Sequence, residues 1–451
     1  MSATSDPDPA GSAQTDPPSR FAAFRYRSFV LYWTARLIAS LGAQILTVAA
    51  LWQIYELTGE PIYPGLVGLV QFVPLFLLVL VTGTAADRFG RRLIMGLSIL
   101  LLSVVALAIS IVSMTGNMSA ILLLSLLTVF GIGRAFMGPA SSSLFVSLVP
   151  QSVFANAITL NSTAWQTATI LGPALGGLLL SVGEPGVVGW LRGQGGHGAA
   201  NVLEGHGPEI AYGVAFVLMA IGALLIFAIP KPRQAPSRER PTLSGMLEGF
   251  RYIWRQKIVL GAISLDLFAV LMGGVIALLP IYAQDVLHLG PSGLGWLRAA
   301  PGIGALITAG LLAMFPIRDH AGRIMFVCVA LFGVFTTLFG LSTTPWLSIL
   351  ALILLGGADM VSVVVRETLL QLWTPDDVRG RVNAVNSVFV SASNELGDFR
   401  AGGMAQILGG GAIGAVFAAT AGGVGAIIVA AAWALMFPQL REARRLDQGV
   451  A

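Results

Sequence analysis

The chain has 451 residues, of which 55% are hydrophobic and only 11% charged, with a mean hydropathy of +0.81. A soluble domain carries about a quarter charged residues, so an ordinary water-soluble enzyme or binding module is excluded. The pI of about 9.5 would suit a nucleic-acid binder, but the basic residues are sorted by topological side, which points to a lipid bilayer.

Residues 1–20 are polar and rich in Pro, Ser and Asp. They lack the basic start and apolar core of a cleavable signal and read as a disordered cytoplasmic tail. Apolar runs follow near 29–51, 65–86, 93–113, 119–139, 158–182 and 211–229, and again near 259–282, 293–315, 322–342, 346–366, 383–407 and 412–436. A bilayer span needs ~20 apolar residues, so these runs predict twelve membrane helices. The alternating pattern of barrel strands is absent, which leaves an all-α integral membrane protein. Sorted by this plan, twenty of the 26 Lys and Arg fall in the tails and the loops on the tails' side. One, Arg192, falls opposite, and five (Arg36, Arg134, Arg298, Arg366, Arg400) fall within spans. That split predicts a multi-pass protein of the inner (plasma) membrane with both termini in the cytoplasm.

The expected organisation is a tail over 1–20, a six-helix bundle over 21–230, a cytoplasmic linker over 231–257, a second bundle over 258–438 and a tail over 439–451. Within the linker, 243–256 suits an amphipathic surface helix or a plain solvated loop. The halves echo each other: Phe24-Arg25-Tyr26 recurs as Phe250-Arg251-Tyr252, Asp87, Gly90 and Arg91 as Asp319, Gly322 and Arg323, and Arg134 as Arg366. In matching order, these echoes suggest a duplicated, pseudo-symmetric pair.

In chain order, the residues able to carry function begin with Arg36 and Gln44 on helix 1 and Gln71 on helix 2. The loop 83–92 holds Gly83, Asp87, Arg88, Gly90, Arg91 and Arg92 between two spans. Gly90 permits a tight reversal, the cations hold the loop in the cytoplasm, and Asp87 is a lone acid among them at a helix end. Helix 4 carries Arg134, a span charge that belongs in the bundle interior or against water unless it bonds carbonyls near a helix end. Helix 5 carries Asn161, Trp165 and Gln166, then Gly172, Pro173, Gly176 and Gly177, a proline kink beside glycines for close packing. Polar residues here line a cavity or join helix to helix. The acids within spans are all in the second half: Asp266, Asp359, Glu367, Glu395 and Asp398. A carboxylate moved between a dry and an arginine-paired site can take a proton from one side and release it to the other. Asp266 leads the proton-coupling candidates, with Asp359, Glu395 and Arg134, and a plain salt bridge to Arg298, Arg366 or Arg400 is the alternative for each acid. The loop 183–210 holds His197, Glu204, His206 and Glu209, but glycine spacers fix no metal geometry and it reads as a flexible external loop. No metal or cofactor is expected.

The loop 83–92 resembles the signature between helices 2 and 3 of the major facilitator superfamily, with all six named residues at the family's spacing. The resemblance implies that Asp87 faces the cytoplasmic start of helix 11, near Val382, when the inner gate is shut. The second copy, Arg318-Asp319-His320-Ala321-Gly322-Arg323, lacks the double arginine, so the main latch falls at Asp87. Arg134 with Gly138 resembles the family's helix-4 motif, whose arginine is implicated in proton coupling. Gly172-Pro173-Ala174-Leu175-Gly176-Gly177 resembles the helix-5 motif of antiporters, with Ala168 where Gly is common. The segments 51–59, 68–74 and 278–283, and Thr374-Pro375 with Arg379-Gly380-Arg381, look like the branch of enterobactin exporters and macrolide efflux proteins.

Together the resemblances imply a monomeric, proton-coupled antiporter exporting a small siderophore or amphipathic drug-like compound by alternating access. An importer on the same scaffold is opposed only by the helix-5 motif. A membrane-embedded enzyme would need a catalytic cluster that the four histidines, in loops or at span ends, do not supply, and no nucleotide-cradling Gly-Lys-Ser loop is present.

Overall fold

The computed structural model describes residues 21–194, 197–198, 203–230, 243–317 and 319–442, without the side chains of 79, 80, 83–88, 243–247, 376 and 377. Within it run twelve long helices, and no strand occurs among the described residues. The first six are α1 (Arg27–Thr58), α2 (Ile62–Phe89), α3 (Arg91–Met114), α4 (Ala120–Phe145), α5 (Phe154–Ser181) and α6 (Gly207–Ala228). The second six are α7 (Lys257–Gly273), α8 (Gly290–Met314), α9 (Ala321–Leu341), α10 (Pro345–Trp373), α11 (Asp376–Ile407) and α12 (Gly411–Met436).

Among the described residues nine of these, with α7 taken on through Val286, are long and apolar enough to cross a bilayer, and α5 makes a tenth when joined to the helix Pro185–Gly193, from which it bends by 65°. In α11 the polar residues Asn383, Ser387, Glu395 and Asp398 face an internal cavity instead of lipid, which removes the hydropathy signal of that helix.

Helices α1, α3 and α6 pack together, with α4 and α5 alongside and α2 on α4. The second set repeats this, with α9 between α10 and α12, and α7 between α11 and α12. Two seams join the sets: α2 against α11, and α5 against α8. Small residues set the seam spacing, because a backbone that carries no side chain can approach another helix closely. A Cβ on Gly65 would lie 2.9 Å from the Asp398 carbonyl oxygen, and one on Gly402 would lie 2.6 Å from that of Pro61.

Buried polar groups are paired where helices of one set meet. Gln53 of α1 donates from Nε2 to Ser113 Oγ of α3 at 2.9 Å and accepts from the Tyr212 hydroxyl of α6 at 3.0 Å. This stitches three helices at the face opposite the chain ends. At the face bearing the chain ends, the Ala23 amide donates to Asn156 Oδ1 at 3.0 Å.

The span expected near 259–282 is broken. Helix α7 stops at Gly273, and the chain resumes as short turns over Ile276–Val286, the last of them a π-turn. Backbone groups freed inside a membrane must find partners. Arg400 of α11 supplies one side, donating from Nε to the Leu271 carbonyl at 2.9 Å and from Nη2 to that of Met272 at 2.5 Å. Asp398 supplies the other, accepting the Ala277 N–H at 3.3 Å.

The reversal expected at Gly90 is present, with φ 93°. Its counterpart in the second half is displaced. The left-handed residue before α9 is His320, with φ 60°, while Gly322 sits in the first turn of α9, where a side chain would strike the Leu440 carbonyl. Between the two readings of the linker, the helix prevails: Leu243–Arg255 is helical and buries Ile253. Its Tyr252 hydroxyl donates to the Trp373 carbonyl at 2.6 Å, and Glu248 pairs with Arg381 at 2.5 Å. The expected tail over 1–20, linker residues 231–242 and tail residues 443–451 lie outside the described residues.

The loop 183–210 is more structured than expected. It carries the helix Pro185–Gly193 and an Arg192–Glu204 ion pair of 2.5 Å. Among the described residues no group of three His, Cys, Asp or Glu is placed to hold a metal.

Candidate functional site

A cavity of about 900 Å³ lies between the two sets of helices. Its wall takes residues from α1, α2, α4 and α5 on one side and from α8 and α11 on the other, with Ile276 from the broken segment after α7. It extends to Gly380 and Asn383, close to the start of α11 on the face that bears the chain ends. At the opposite face the halves are closed on each other. There the Tyr55 hydroxyl of α1 donates to Asp285 Oδ2 of the π-turn, and Gly177 of α5 meets Gly295 of α8 backbone to backbone.

The charged residues of the wall come from both halves: Arg36, Arg134 and Arg298 against Glu395 and Asp398. Helix α2 seats two of them one turn apart. Gln71 Oε1 accepts from Arg134 Nη1 at 2.9 Å, and Gly68 leaves the space that the Glu395 carboxylate fills. Glu395 thus reaches across the seam and lies within electrostatic range of Arg134 and Arg298. Arg36 Nη1 donates to Ser141 Oγ at 2.5 Å.

Of the six residues expected to meet substrate, Arg36, Gln44, Gln71 and Trp165 line the cavity. Asn161 and Gln166 do not. Gln166 is one residue, about 100°, around α5 from Trp165, and Asn161 lies a turn beyond it toward the helix start. The four proton-coupling candidates divide. Arg134 and Glu395 line the cavity, whereas Asp266 and Asp359 meet in a small separate void between α7, α9 and α10. There Asp266 pairs with Arg366. Arg366, 3% exposed, is buried against this acid, which is the salt-bridge alternative for Asp266.

The loop 83–92 is tied to its own half. Arg91 Nη1 donates to the Ser143 carbonyl at 3.1 Å and Arg92 Nη1 to the Ile229 carbonyl at 2.6 Å. Both acceptors are at helix C-termini, where a cation also meets the negative end of the helix dipole. The side chains of Asp87 and Arg88, and the surroundings of Gly83, lie outside the described residues.

The antiporter-like motif divides between two partners. Gly172 and Gly176 press on α1, at Gln44 and at Ile45 and Val48, while Gly177 presses on α8. Pro173 contributes its carbonyl to the same approach, 2.7 Å from where a Cβ on Gly295 would stand.

Sequence reasoning did not foresee Arg298 and Asp398 as wall residues, nor the Tyr55–Asp285 contact. The acid and the arginine were visible as charges in spans, but nothing in their spacing says which face of a helix meets the other half.

The profile of a family described as transmembrane secretion effector matches residues 18–449. The multidrug efflux pump Tap of Mycobacterium tuberculosis is 26% identical over 384 residues, covering 83% of this chain and 86% of that protein. The enterobactin exporter EntS of Escherichia coli is 28% identical over 432 residues, covering 93% and 94%. Among solved structures, a bacterial homologue of the human lysosomal transporter Spinster, inward-facing and unoccupied, superposes with a TM-score of 0.72 at 17% identity, covering 92% of this chain and 98% of that one. A D-xylose–proton symporter superposes with a TM-score of 0.68 at 12% identity, covering 92% and 98%. At such identities the superpositions establish the fold alone.

Proposed function

This chain belongs to the transmembrane secretion effector family of the major facilitator superfamily, a multi-pass membrane transporter, and from that membership we propose that it exports a small organic compound by alternating access. The observation that carries the reading is the cavity itself, a chamber between two helix sets, shut by Tyr55–Asp285 and Gly177–Gly295 at one face and extending toward the other. The units that rock are 21–230 and 258–438, with 231–257 between them in the chain. The face with Arg91, Arg92 and Arg251 is cytoplasmic by its positive charge, so this conformation faces inward. The membrane is the inner (plasma) membrane.

Efflux of amphipathic drugs or of a siderophore is supported by the relatives, and protons are the driving ion. Glu395 and Arg134, brought together in the wall by α2, are the coupling pair of this reading, with Asp87 as the inner latch. A transporter must bind its cargo and the coupling ion with different affinities in its two facing states, and ionisable groups in the shared wall meet that condition.

Everted membrane vesicles provide the test. Acidified inside, they are expected to accumulate a fluorescent substrate of the related efflux pumps when they contain this protein, and to lose it on collapse of the gradient. Accumulation that ignores the gradient would remove proton coupling. Uptake by whole cells in place of extrusion would reverse the direction.

A further inference from the structure

The cavity wall has an imbalance of charge that the proposed export does not by itself explain. Arg36 and Arg134 rest on neutral partners, Ser141 and Gln71. Arg298 has none for its buried Nε and Nη1. Among the described residues none of the three forms an ion pair. Of the two acids in the wall, Asp398 is engaged with the Ala277 N–H of the broken segment. The charges within range of Arg298 are Asp398 and Glu395 of α11 and Arg134 of α4.

The position of Arg298 adds to this. It follows Gly295 by three residues and precedes Gly302 by four, on the stripe of α8 that approaches α5. The glycines draw the two helices together, and Arg298 contributes to the cavity wall from the same stripe. A buried donor without a partner is costly, and a ligand that satisfies it regains that energy as affinity. A guanidinium suits an oxyanion, and a wall with three arginines against two acids disfavours an organic cation.

We propose that Arg298 is the charge-selecting anchor of the cavity and that the compounds carried are organic anions bearing a carboxylate or comparable oxyanion. This rests on the cavity being the transport site and narrows the class it takes. A chamber of about 900 Å³ accepts a molecule of drug size.

Two dyes on one xanthene scaffold test it: anionic carboxyfluorescein and cationic tetramethylrhodamine methyl ester. Their binding to the purified full-length protein is read by fluorescence anisotropy. The anion is expected to bind more tightly than the cation by about tenfold or more. Arg298→Gln should abolish that preference, and Arg298→Lys should restore part of it. A melting curve for each variant shows that it is folded. Equal or tighter binding of the cation, binding of neither dye, or an Arg298→Gln protein that keeps the preference overturns the proposal. The preference of the unaltered protein decides the matter even if Arg298→Gln does not fold. Gradient-dependent movement of either dye in everted vesicles is a separate readout: its presence upholds export when Arg298 fails, and its absence counts against export whatever the binding result.

Discussion

Gly177 of α5 and Gly295 of α8 lie backbone against backbone across the seam between the halves: a Cβ on Gly177 would stand 2.7 Å from the Gly295 Cα. Neither helix can yield without the other, so the smallest added side chain acts on the closed face directly. Gly177→Val is expected to open this face, because overpacking a tight contact costs about 1–3 kcal/mol. The protein should fold and insert but lose transport. A cysteine placed at Pro291, a buried residue whose carbonyl would stand 2.7 Å from a Cβ on Gly177, in a chain whose single Cys328 is replaced, should become reactive to a membrane-impermeant thiol reagent added from outside. Unchanged reactivity would show that the contact does not gate access.

The second closure is polar. Tyr55 is 4% exposed, and its hydroxyl donates to Asp285 across the halves. Tyr55→Phe removes a hydrogen bond to an ionised group, worth about 1.5–3 kcal/mol. The inward-facing state should lose population, by tenfold or more at that magnitude. Distance measurement between spin labels on α1 and the π-turn would report it as a shift toward the wider separation.

The architecture was legible in the sequence because lipid imposes one rule on every span: apolar length, with charge left to one side. The rule held at α11 too, where a helix fills the span read near 383–407, but it does not show that the polar face of this helix turns to a cavity formed only where the two halves meet. It also passed over the break after Gly273. The partners that make it tolerable, Asp398 and Arg400, are more than a hundred residues away. The helix-5 glycines lie on packing faces, yet nothing in the motif separates Gly176, which meets α1, from Gly177, which meets α8. Half of the coupling candidates fell in the wall and half in the Asp266–Asp359 void for the same reason. Depth in a span is countable from sequence, and the facing helix is not.

Arg400 offers a test of the break. Its guanidinium is bonded to the carbonyls of Leu271 and Met272, and Arg400→Met leaves both without a donor. Each orphaned group costs about 1–3 kcal/mol. The melting temperature in detergent should fall by several degrees. A Lys at the same position, which reaches one carbonyl, should recover part of the loss.

Asp87→Asn removes the charge proposed to latch the inner face and leaves the arginines that set topology. Insertion and expression should match the unaltered protein, while transport should fall severalfold, since an anion near a helix N-terminus is stabilised by about 0.3–1 kcal/mol at exposed sites and by up to ~2 kcal/mol where partly buried. Normal transport at normal expression would remove the latch.

Glu395 and Asp266 are told apart by what each loses when neutralised. Asp266 is buried against Arg366, and breaking a buried pair costs about 3–5 kcal/mol because the surviving charge has no partner. Asp266→Asn should therefore melt well below the parent. Glu395 forms no ion pair among the described residues and lines a wide cavity, so Glu395→Gln should melt near the parent. Its effect belongs to function. If Glu395 is the group that exchanges the proton, Glu395→Gln still binds cargo but no longer responds to the pH gradient, and alkalinisation or acidification coupled to transport disappears. A Glu395→Gln protein that moves protons like the parent, beside an Asp266→Asn protein that is stable and does not, would transfer the coupling role to the void between α7, α9 and α10.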